Sequence, residues 1–229
     1  VVQRVQNFCT NEMGALYLDI TKDRLYTMQE NSRGRRSAQS AMYRILEALV
    51  RWIAPVLSFT AEEIWQQMPG KRDESVLFET WYEGLVTMPE QDSKVMDYLL
   101  GLRTVLYKQL ETLRSLGDIG SALDAEVDLH CDAKEQDFLR PYLSEMRFLF
   151  ISGDVSLRSR DEVPEGGWWG GIPPEADQTH VHVRKTQKVK CIRCWHRRAD
   201  VGSHPEHPEI CGRCVDNLPG NRGEDRRYF

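Results

Sequence analysis

The sequence has 229 residues, of which 41% are hydrophobic and 28% charged, a composition typical of a folded globular protein rather than a disordered one. Its length exceeds the commonest domain size, so we expect two or three modules. No apolar run approaches the roughly 18 residues that span a bilayer, and no basic-then-apolar leader opens the chain, so we expect no membrane association and a cytoplasmic location. Because the chain begins at Val1 inside a helical pattern, we expect a fragment of a longer protein.

Charge is distributed unevenly along the chain, whose overall net charge is −5. Residues 1–179 hold 19 Lys and Arg against 29 Asp and Glu, whereas residues 180–229 hold 11 against 6. A short basic module on an acidic body is typical of local phosphate binding, because steering depends on the local field. An ordinary solvated charge run is the alternative that charge alone leaves open.

The first 88 residues are expected to form an α-helical bundle. Apolar residues recur at helical spacing over residues 8–28, and a second stripe over residues 42–53 ends before Pro55. A short third helix is expected through Trp65. Stripes this apolar must pack on one another, and a helical bundle is the natural result.

Residues 89–160 are expected to form a small α/β connector domain. Leucines at helical spacing predict a long helix over residues 95–113. The period then changes to two, which predicts a half-buried strand over residues 127–131. A helix near residues 135–146 and a strand near residues 148–151 complete the expected unit.

Residues 161–179 contain three prolines and four glycines, which favours a loop. The segment 180–229 follows, and its four cysteines form two C-x2-C pairs separated by 16 residues: Cys191 with Cys194, and Cys211 with Cys214. Two residues between thiolates let one tight turn aim both sulfurs at a common point, so two pairs complete a tetrahedron. We predict a C-terminal zinc ribbon in which these four cysteines hold one structural Zn²⁺.

Disulfides, a redox dithiol and iron are the alternatives to zinc at these cysteines. Disulfides need an oxidising compartment, which nothing in the sequence supports, and a redox dithiol uses one pair rather than two at ribbon spacing. Iron in the same four-sulfur cage stays open, because geometry does not separate it from zinc. His196, His204 and His207 lie between the pairs, but four thiolates already complete the ligand set. Cys9 and Cys131 lack partners at ligand spacing, and we expect both to be buried.

Cations and one indole surround the first cysteine pair. Trp195 directly follows a ligand, where the knuckle leaves little volume to bury an indole, so it is a candidate platform for stacking an RNA base. Neighbouring cations can read a guanine edge or hold phosphate, and sequence-specific RNA readers favour unpaired loops. Packing of Trp195 within the ribbon is the alternative. The candidate RNA contacts are Arg184, Lys188, Lys190, Arg193, Trp195, His196, Arg197 and Arg198.

A second cationic cluster lies at the start of the second expected helix and contains Arg33, Arg35 and Arg36. We take Arg35 and Arg36 as further candidate RNA contacts, since phosphate contacts position a nucleic acid. A solvated turn is the alternative. RNA binding by both clusters would place contacts in two distant parts of the sequence.

Four parts of the sequence resemble one known family. FCTNEMGALYLDITKDRLYT (Phe8–Thr27) is similar to the anticodon-binding helices of class I synthetases for branched aliphatic amino acids, and IAPVLSFTAEEIWQQMPG (Ile53–Gly70) to a second signature of that domain. IGSALDAEVDL (Ile119–Leu129) resembles a stretch of the following domain. CIRCWHRRADVG (Cys191–Gly202) with EICGRC (Glu209–Cys214) resembles the terminal zinc finger of bacterial-type isoleucyl-tRNA synthetases. These matches, in family order, cover nearly the whole chain.

The resemblance implies an intact enzyme that activates isoleucine with ATP, transfers it to tRNA, and hydrolyses mischarged valyl-tRNA at a separate editing site. The sequence contains neither His-x-Gly-His nor Lys-Met-Ser-Lys-Ser, the ATP-handling motifs of class I synthetases, so we expect no catalytic residue in this chain. The expected partners are the anticodon stem-loop of tRNA(Ile) and the catalytic domains of the same parent chain. We expect a monomer.

Two other functions share some of these features. A finger of the same cysteine spacing occurs in formamidopyrimidine-DNA glycosylases, but that family needs an N-terminal proline nucleophile on a β-rich domain, and expected helices occupy that part of this chain. A free-standing zinc-ribbon interaction protein would bind duplex or protein at least as well as tRNA. Valyl enzymes share the first two signatures but generally end in a coiled coil, which this sequence lacks.

Overall fold

The computed structural model describes residues 1–165, 168–170 and 179–229, with the backbone alone for residues 168–170. The order of elements confirms the predicted fold class, in which a helical bundle precedes a small α/β unit and a C-terminal four-cysteine module. The helices are α1 (Val2–Asn7), α2 (Asp19–Thr27), α3 (Arg33–Ile53), α4 (Ser58–Gln67), α5 (Glu90–Ser115), α6 (Ala133–Leu139), α7 (Leu143–Phe150) and α8 (Gly212–Asp216). The strands are β1 (Ala125–Cys131), β2 (Asp154–Ser159), β3 (Trp168–Gly170), β4 (Thr179–Lys185), β5 (Val189–Lys190) and β6 (Arg197–Arg198).

The second and third predicted helices form, whereas the segment expected as one amphipathic helix over residues 8–28 differs: none of Phe8–Leu18 is buried, and the buried residues of α2 are Thr21, Arg24 and Thr27. Eleven residues with π-helical hydrogen bonding, Phe8–Leu18, join α1 to α2. Ser32 caps α3, because its side chain accepts a hydrogen bond from the backbone N–H of Arg35 and so satisfies one of the free donors at the helix start. Helices α3 and α4 enclose a small core whose buried members are Val50, Ala54, Ala61, Trp65, Met68 and Val76.

The larger core lies between α5 and a four-stranded sheet of order β2-β1-β4-β3. Strand β1 pairs in parallel with β2 and antiparallel with β4. Helix α5 presents a stripe of fully buried leucines to this sheet: Leu99, Leu102, Leu106 and Leu110. Residues of β1 and β4 alternate between the two faces of the sheet, so the face opposite this core carries the polar side chains of these strands: Glu126, Asp128, His130, His182 and Arg184.

Two predictions are wrong, one about this unit and one about the N-terminal helices. The segment expected as a strand near residues 148–151 belongs to α7, because Phe148, Leu149 and Phe150 are all buried in the core as a helical turn. The helix ends at Ile151, whose φ of 52° is left-handed, and the strand begins three residues later at Asp154. Cys131 is buried as expected, whereas Cys9 is exposed.

The sheet also extends through the segments expected as a loop (161–179) and as part of the zinc module (180–229). Backbone hydrogen bonds pair β3 with β4, and β4 with β1, so residues 168–170 and 179–185 are strands of the α/β unit. Pairing satisfies the backbone groups of this stretch more completely than a loop would. The remainder of the Gly/Pro-rich stretch, residues 166–167 and 171–178, lies outside the described residues.

Over the part of the chain that the structure describes, none of the helices combines the length and the apolar character needed to cross a membrane.

Candidate metal centre and nucleic-acid interface

Four sulfurs meet in the C-terminal module. The Sγ atoms of Cys191, Cys194, Cys211 and Cys214 all lie within 4.8 Å of one another, and all four residues are buried. The Sγ–Sγ distances are 3.7 Å between Cys191 and Cys214 and 3.8 Å between Cys194 and Cys211. A Zn–S bond of about 2.3 Å in a tetrahedron puts neighbouring sulfurs about 3.8 Å apart. The four side chains therefore fit a structural zinc ion.

Local backbone geometry creates this cage. The backbone N–H of Trp195 donates to the carbonyl of Cys191 at 2.9 Å, and the N–H of Cys191 donates to the carbonyl of His196 at 2.9 Å, which closes the first knuckle. The N–H of Cys211 points at the Sγ of Cys191, 3.4 Å away. Thiols held this close share protons, and hydrogen bonds from Cys194 and Cys214 hold the pKa of Cys211 far below its usual range. A divalent cation with thiolate ligands is the stable arrangement of such a group.

The four-cysteine module is docked on helix α2 by arginines placed between the cysteines of each pair. Arg213 donates two hydrogen bonds to the carboxylate of Asp23, at 2.7 and 2.8 Å. Arg193 donates to the carbonyl of Thr27 at 3.1 Å and to the carbonyl of Cys214 at 2.9 Å. The expected role of Arg193 as an RNA contact is thus combined with a structural one, because its guanidinium joins the two knuckles to the helix.

His196 lies in the interior, although its place in the sequence made it a candidate RNA contact. It is 5% exposed, its Nδ1 lies 3.0 Å from the carbonyl oxygen of Ser152, and its ring stands edge-on to Phe148. Burial lowers the pKa of His196 to about 4, so the ring is neutral at physiological pH and Nδ1 carries the proton that the carbonyl accepts. A neutral ring buried to this extent offers an RNA ligand no charge and little surface, although it lies in the floor of the cleft beside Trp195.

Four other candidate cations are paired with carboxylates of the polar sheet face or of the turn that precedes β1. Lys188 lies 2.7 Å from Asp154 and 3.0 Å from Glu126, and Arg184 bonds to Asp128 at 3.0 Å. Arg197 donates to Asp124 at 2.6 Å, and Arg198 lies 3.4 Å from Asp154. The surplus of positive charge in the C-terminal segment is therefore largely neutralised by the acidic sheet beside it.

Trp195 and Lys190 remain accessible. The indole of Trp195 is 60% exposed, and the ammonium of Lys190 lies 5.4 Å from its ring centroid, a cation–π contact. The backbone of Trp195 adopts a φ of 66°, a left-handed conformation that favours glycine and costs a non-glycine residue about 1–2 kcal/mol. The indole is thus presented to solvent rather than packed within the ribbon.

Beside Trp195 lies a cleft of about 320 Å³ between the first knuckle and helix α2. Tyr26 lines the cleft from the helix side and is 81% exposed, and Lys22 lies one turn earlier on the same helix. We call these residues, with Arg193 and Trp195, the knuckle cleft. Lys22 and Tyr26 lie in the Phe8–Thr27 stretch that resembles anticodon-binding helices, but nothing in the sequence placed them next to Trp195, because only the docking of the module on α2 brings them there.

The second cationic cluster lies at the N-terminus of α3. Arg35 donates to the carbonyl of Met28 at 3.2 Å and is half-buried, whereas Arg33 and Arg36 are exposed. Neither Arg35 nor Arg36 lines the knuckle cleft. Arg36 is the better placed of the two predicted contacts to meet a phosphate, since its side chain faces solvent.

Comparison with known proteins agrees with this architecture. The family model described as "Anticodon-binding domain of tRNA ligase" matches residues 1–129, and the model described as "Zinc finger found in FPG and IleRS" matches residues 190–217. The first match covers more than half of the chain. The chain belongs to the family of anticodon-binding domains of tRNA ligases.

Curated proteins that the chain is similar to share one name. The chain is 51% identical over 232 residues to an isoleucine–tRNA ligase of Xanthomonas campestris pv. campestris (strain 8004), 49% to one of Stenotrophomonas maltophilia (strain R551-3), and 48% to one of Xylella fastidiosa (strain M12). Each match covers all of this chain and 23% of the relative. The chain therefore spans about a quarter of the length of the isoleucine–tRNA ligases that it is similar to.

Proposed function

We propose that this chain is the part of an isoleucine–tRNA ligase that binds the anticodon stem-loop of tRNA(Ile), and that the knuckle cleft receives an unpaired anticodon base. The observation that carries this proposal is that the indole of Trp195 is exposed to solvent while its backbone is held at a left-handed φ. An exposed indole held at a left-handed φ gains little from packing, and a strained residue at the rim of a cleft favours a binding role. Stacking a base on such a ring contributes about 1–3 kcal/mol.

The charges around the cleft support an RNA ligand. Lys190 and Arg193 stand on the module side, where a phosphate entering with its base would meet them, whereas Lys22 on the helix side is paired with Asp19. Tyr26 offers a second aromatic face opposite the module. Arg36, and Arg35 beside it, would contact the backbone of the stem, while Arg184, Lys188, Arg197 and Arg198 keep the sheet and module together.

The zinc ion would serve a structural purpose, with Cys191, Cys194, Cys211 and Cys214 as its ligands. When bound, it supplies the free energy that orders the two knuckles, which bury little apolar surface of their own. The protein's own residues then place the indole: Arg213 and Arg193 fix the module on α2, and His196 anchors it on Ser152. The indole's position relative to Tyr26 follows from those anchors.

The proposal extends to the whole protein. The intact protein ligates isoleucine to tRNA(Ile) with ATP and removes mischarged valine, and this chain contributes tRNA binding and no catalytic residue. Its partners are the tRNA and the catalytic domains of the same parent chain, and it acts as a monomer. A cytoplasmic location agrees with a site built from reduced thiols.

Competition between nucleic acids tests the proposal. The zinc-loaded chain is titrated with tRNA(Ile), tRNA(Val) and a DNA duplex at two salt concentrations. We expect the tightest binding to tRNA(Ile) at both, and a fall in all affinities as salt rises. Equal affinity for the three ligands would contradict anticodon reading and favour a general zinc-ribbon binder, and preference for the duplex would favour the glycosylase-type finger.

A further inference from the structure

One wall of the knuckle cleft carries two oppositely charged side chains of helix α2. Asp19, Lys22 and Tyr26 are spaced by three and then four residues, which places them on one face of the helix, and all three line the cleft. An RNA base that lies against Tyr26 therefore has Lys22 one helical turn away and Asp19 two turns away. Solvent reaches both charged side chains, with exposures of 52% for Lys22 and 34% for Asp19.

Four other polar side chains that line the cleft are already hydrogen-bonded: Asp23, Thr27, Arg193 and His196. The carboxylate of Asp23 accepts from two guanidiniums, and the hydroxyl of Thr27 donates to a backbone carbonyl. Arg193 donates to two carbonyls, and the Nδ1 of His196 faces a third. These bonds stabilise α2 and the docked module, so the polar edge of a ligand has to be read by other residues of the cleft.

Asp19 retains acceptor capacity next to a donor. Its Oδ1 accepts a hydrogen bond from the Nζ of Lys22 at 2.5 Å. Its Oδ2 lies 3.8 Å from the Nη2 of Arg103, which is too far for a hydrogen bond. An ammonium has three N–H donors, of which Lys22 uses one on Asp19. The pair therefore offers a ligand both carboxylate lone pairs and N–H donors.

Guanine is the nucleobase whose edge matches this pair. Its Watson–Crick edge carries two adjacent N–H donors, on N2 and N1, followed by the O6 acceptor. A carboxylate has about four lone-pair sites, so Asp19 can accept both N–H groups and keep its bond to Lys22, while Lys22 donates to O6. Adenine, cytosine and uracil each have a single donor nitrogen on that edge, so one carboxylate oxygen would lack a partner from the base.

We propose that Asp19 and Lys22 make the knuckle cleft selective for an unpaired guanine, with Asp19 accepting from N1 and N2 and Lys22 donating to O6. This selectivity rests on the proposed function, because it requires that an RNA base enters the cleft. Trp195 and Tyr26 bind any base by stacking, since every base has a π face. The choice between bases then comes from the charged pair, because a base without the matching donors leaves polar groups of the cleft unpaired.

Single-base changes in one RNA hairpin test the selectivity. The zinc-loaded chain is titrated, by fluorescence anisotropy, with a labelled hairpin whose uridine loop carries one guanosine, and with hairpins that carry inosine or adenosine instead. Inosine differs from guanosine only in lacking the N2 amino group. We expect inosine to weaken binding about tenfold and adenosine to weaken it at least as much. Equal affinity for the guanosine and inosine hairpins would overturn the proposal.

Variants assign the selectivity to the two side chains. Asp19→Asn should bring the affinities for the guanosine and inosine hairpins within about twofold of each other, because an amide cannot accept both N–H groups. Lys22→Gln should weaken both alike, since both bases carry O6. Glu12→Gln, at an exposed carboxylate that does not line the cleft, is the matched control and should leave the difference unchanged. A guanosine preference that survives Asp19→Asn would overturn the assignment.

Trp195→Gly separates this selectivity from the proposed function. Since stacking is common to all bases, the substitution should weaken the binding of every hairpin. If it does so while the unchanged protein binds the guanosine and inosine hairpins equally, the cleft binds a base without choosing it, and only the selectivity fails. If Trp195→Gly changes no affinity, RNA bypasses the cleft, and the selectivity fails together with the proposed function.

Discussion

Arg213 donates both ends of its guanidinium to the carboxylate of Asp23, with Nη1–Oδ2 and Nη2–Oδ1 distances of 2.7 and 2.8 Å. Arg213 lies between Cys211 and Cys214, and Asp23 lies on helix α2, which carries Tyr26 and Lys22. Both side chains are nearly excluded from solvent, at 10% and 13% exposure. This bidentate pair, together with the hydrogen bond from Arg193 to Thr27, fixes the metal centre relative to the helix that forms the other side of the knuckle cleft.

We expect Asp23→Asn to destabilise the zinc-loaded protein by about 3–5 kcal/mol, because it leaves the buried guanidiniums of Arg213 and Arg226 with Glu224 as their shared countercharge. Urea unfolding at neutral pH, followed by circular dichroism, measures the change. Lys22→Gln is the control: Lys22 pairs with Asp19 on the surface, at 52% and 34% exposure, and its loss should cost less than about 1 kcal/mol. Equal losses of unfolding free energy in the two variants would show that the buried pair stabilises the protein no more than the surface pair does.

Removal of zinc should loosen the helix as well as the knuckles. Arg193 and Arg213 tie the cysteine pairs to Thr27 and Asp23, and Gln29 donates to the carbonyl of Leu218 at 3.0 Å. A chelator should therefore speed amide hydrogen exchange over residues 191–217 and also over residues 23–29.

The core of helix α5 is the internal control for zinc removal, because its buried leucines face the sheet rather than the metal centre. Exchange over residues 99–110 should not change. Zn²⁺ should restore protection and Mg²⁺ should not, since magnesium prefers oxygen ligands. Exchange at residues 191–217 that is indifferent to the chelator would rule out a metal as the source of order.

The sequence was most informative where the structure is set by local spacing. Two residues between cysteines place two sulfurs on one turn, so the pairs at 191–194 and 211–214 were recognisable without any tertiary knowledge. The apolar stripes of α3 and α5 were equally clear. The run Phe148–Phe150 was not, because three consecutive buried residues fit a strand or a fully buried helical turn, and only the position of the core decides.

Side-chain partners were beyond the sequence. Lys188 and Arg184 look like free cations until the register of β1 against β4 places Glu126 and Asp128 beside them. Tyr26 is separated from Trp195 by most of the chain, and the docking that brings them to one cleft depends on Asp23. Lys190 remains available to RNA because its neighbour in the fold is the uncharged ring of Trp195 rather than a carboxylate.

Protonation of Glu47 should make the stability of the helical bundle depend on pH. Burial alone raises its pKa, but hydrogen bonds from Arg72 and Arg51 outweigh burial and bring the pKa down to about 2. A carboxyl whose folded pKa is depressed stabilises the fold above its unfolded value, about pH 4.3, and that stabilisation is lost as pH falls through about 2.

Glu47→Gln should therefore reduce stability at neutral pH and flatten its dependence between about pH 4.3 and 2. Urea unfolding of both proteins across this range measures the difference. Glu63→Gln is the control, because Glu63 is exposed to solvent on α4 and its removal should leave the profile intact. If the unfolding free energies of Glu47→Gln and the unchanged protein vary with pH in parallel, Glu47 is not the group responsible for the loss of stability in acid.

Trp195→Gly should separate binding from stability. The substitution removes the indole, so tRNA(Ile) binding should weaken by about 1–3 kcal/mol. Glycine accepts the left-handed φ of this position, so the thermal midpoint of the zinc-loaded protein should not fall. Fluorescence anisotropy with labelled tRNA and calorimetry measure the two quantities.

Trp81→Ala is the matched control for that experiment. Trp81 is also an exposed indole, at 74%, but it lines the groove beside α3 rather than the knuckle cleft. Its loss should leave tRNA affinity unchanged. A fall in stability with unchanged binding in Trp195→Gly would assign the indole a packing role.

Two neighbouring lysines of the module should respond differently to salt. Lys190 lies over the indole of Trp195 and is exposed, so it is available to a phosphate, and Lys190→Ala should lower the slope of log affinity against log salt by about 1. Lys188 is already paired with Glu126 and Asp154, so Lys188→Ala should leave the slope unchanged and instead lower the stability of the fold. Binding of tRNA(Ile) at three or more salt concentrations, with urea unfolding of the same proteins, tests both. If Lys188→Ala changes the slope and Lys190→Ala does not, the phosphate path runs along the sheet rather than past the indole, and the proposed placement of the anticodon loop is wrong.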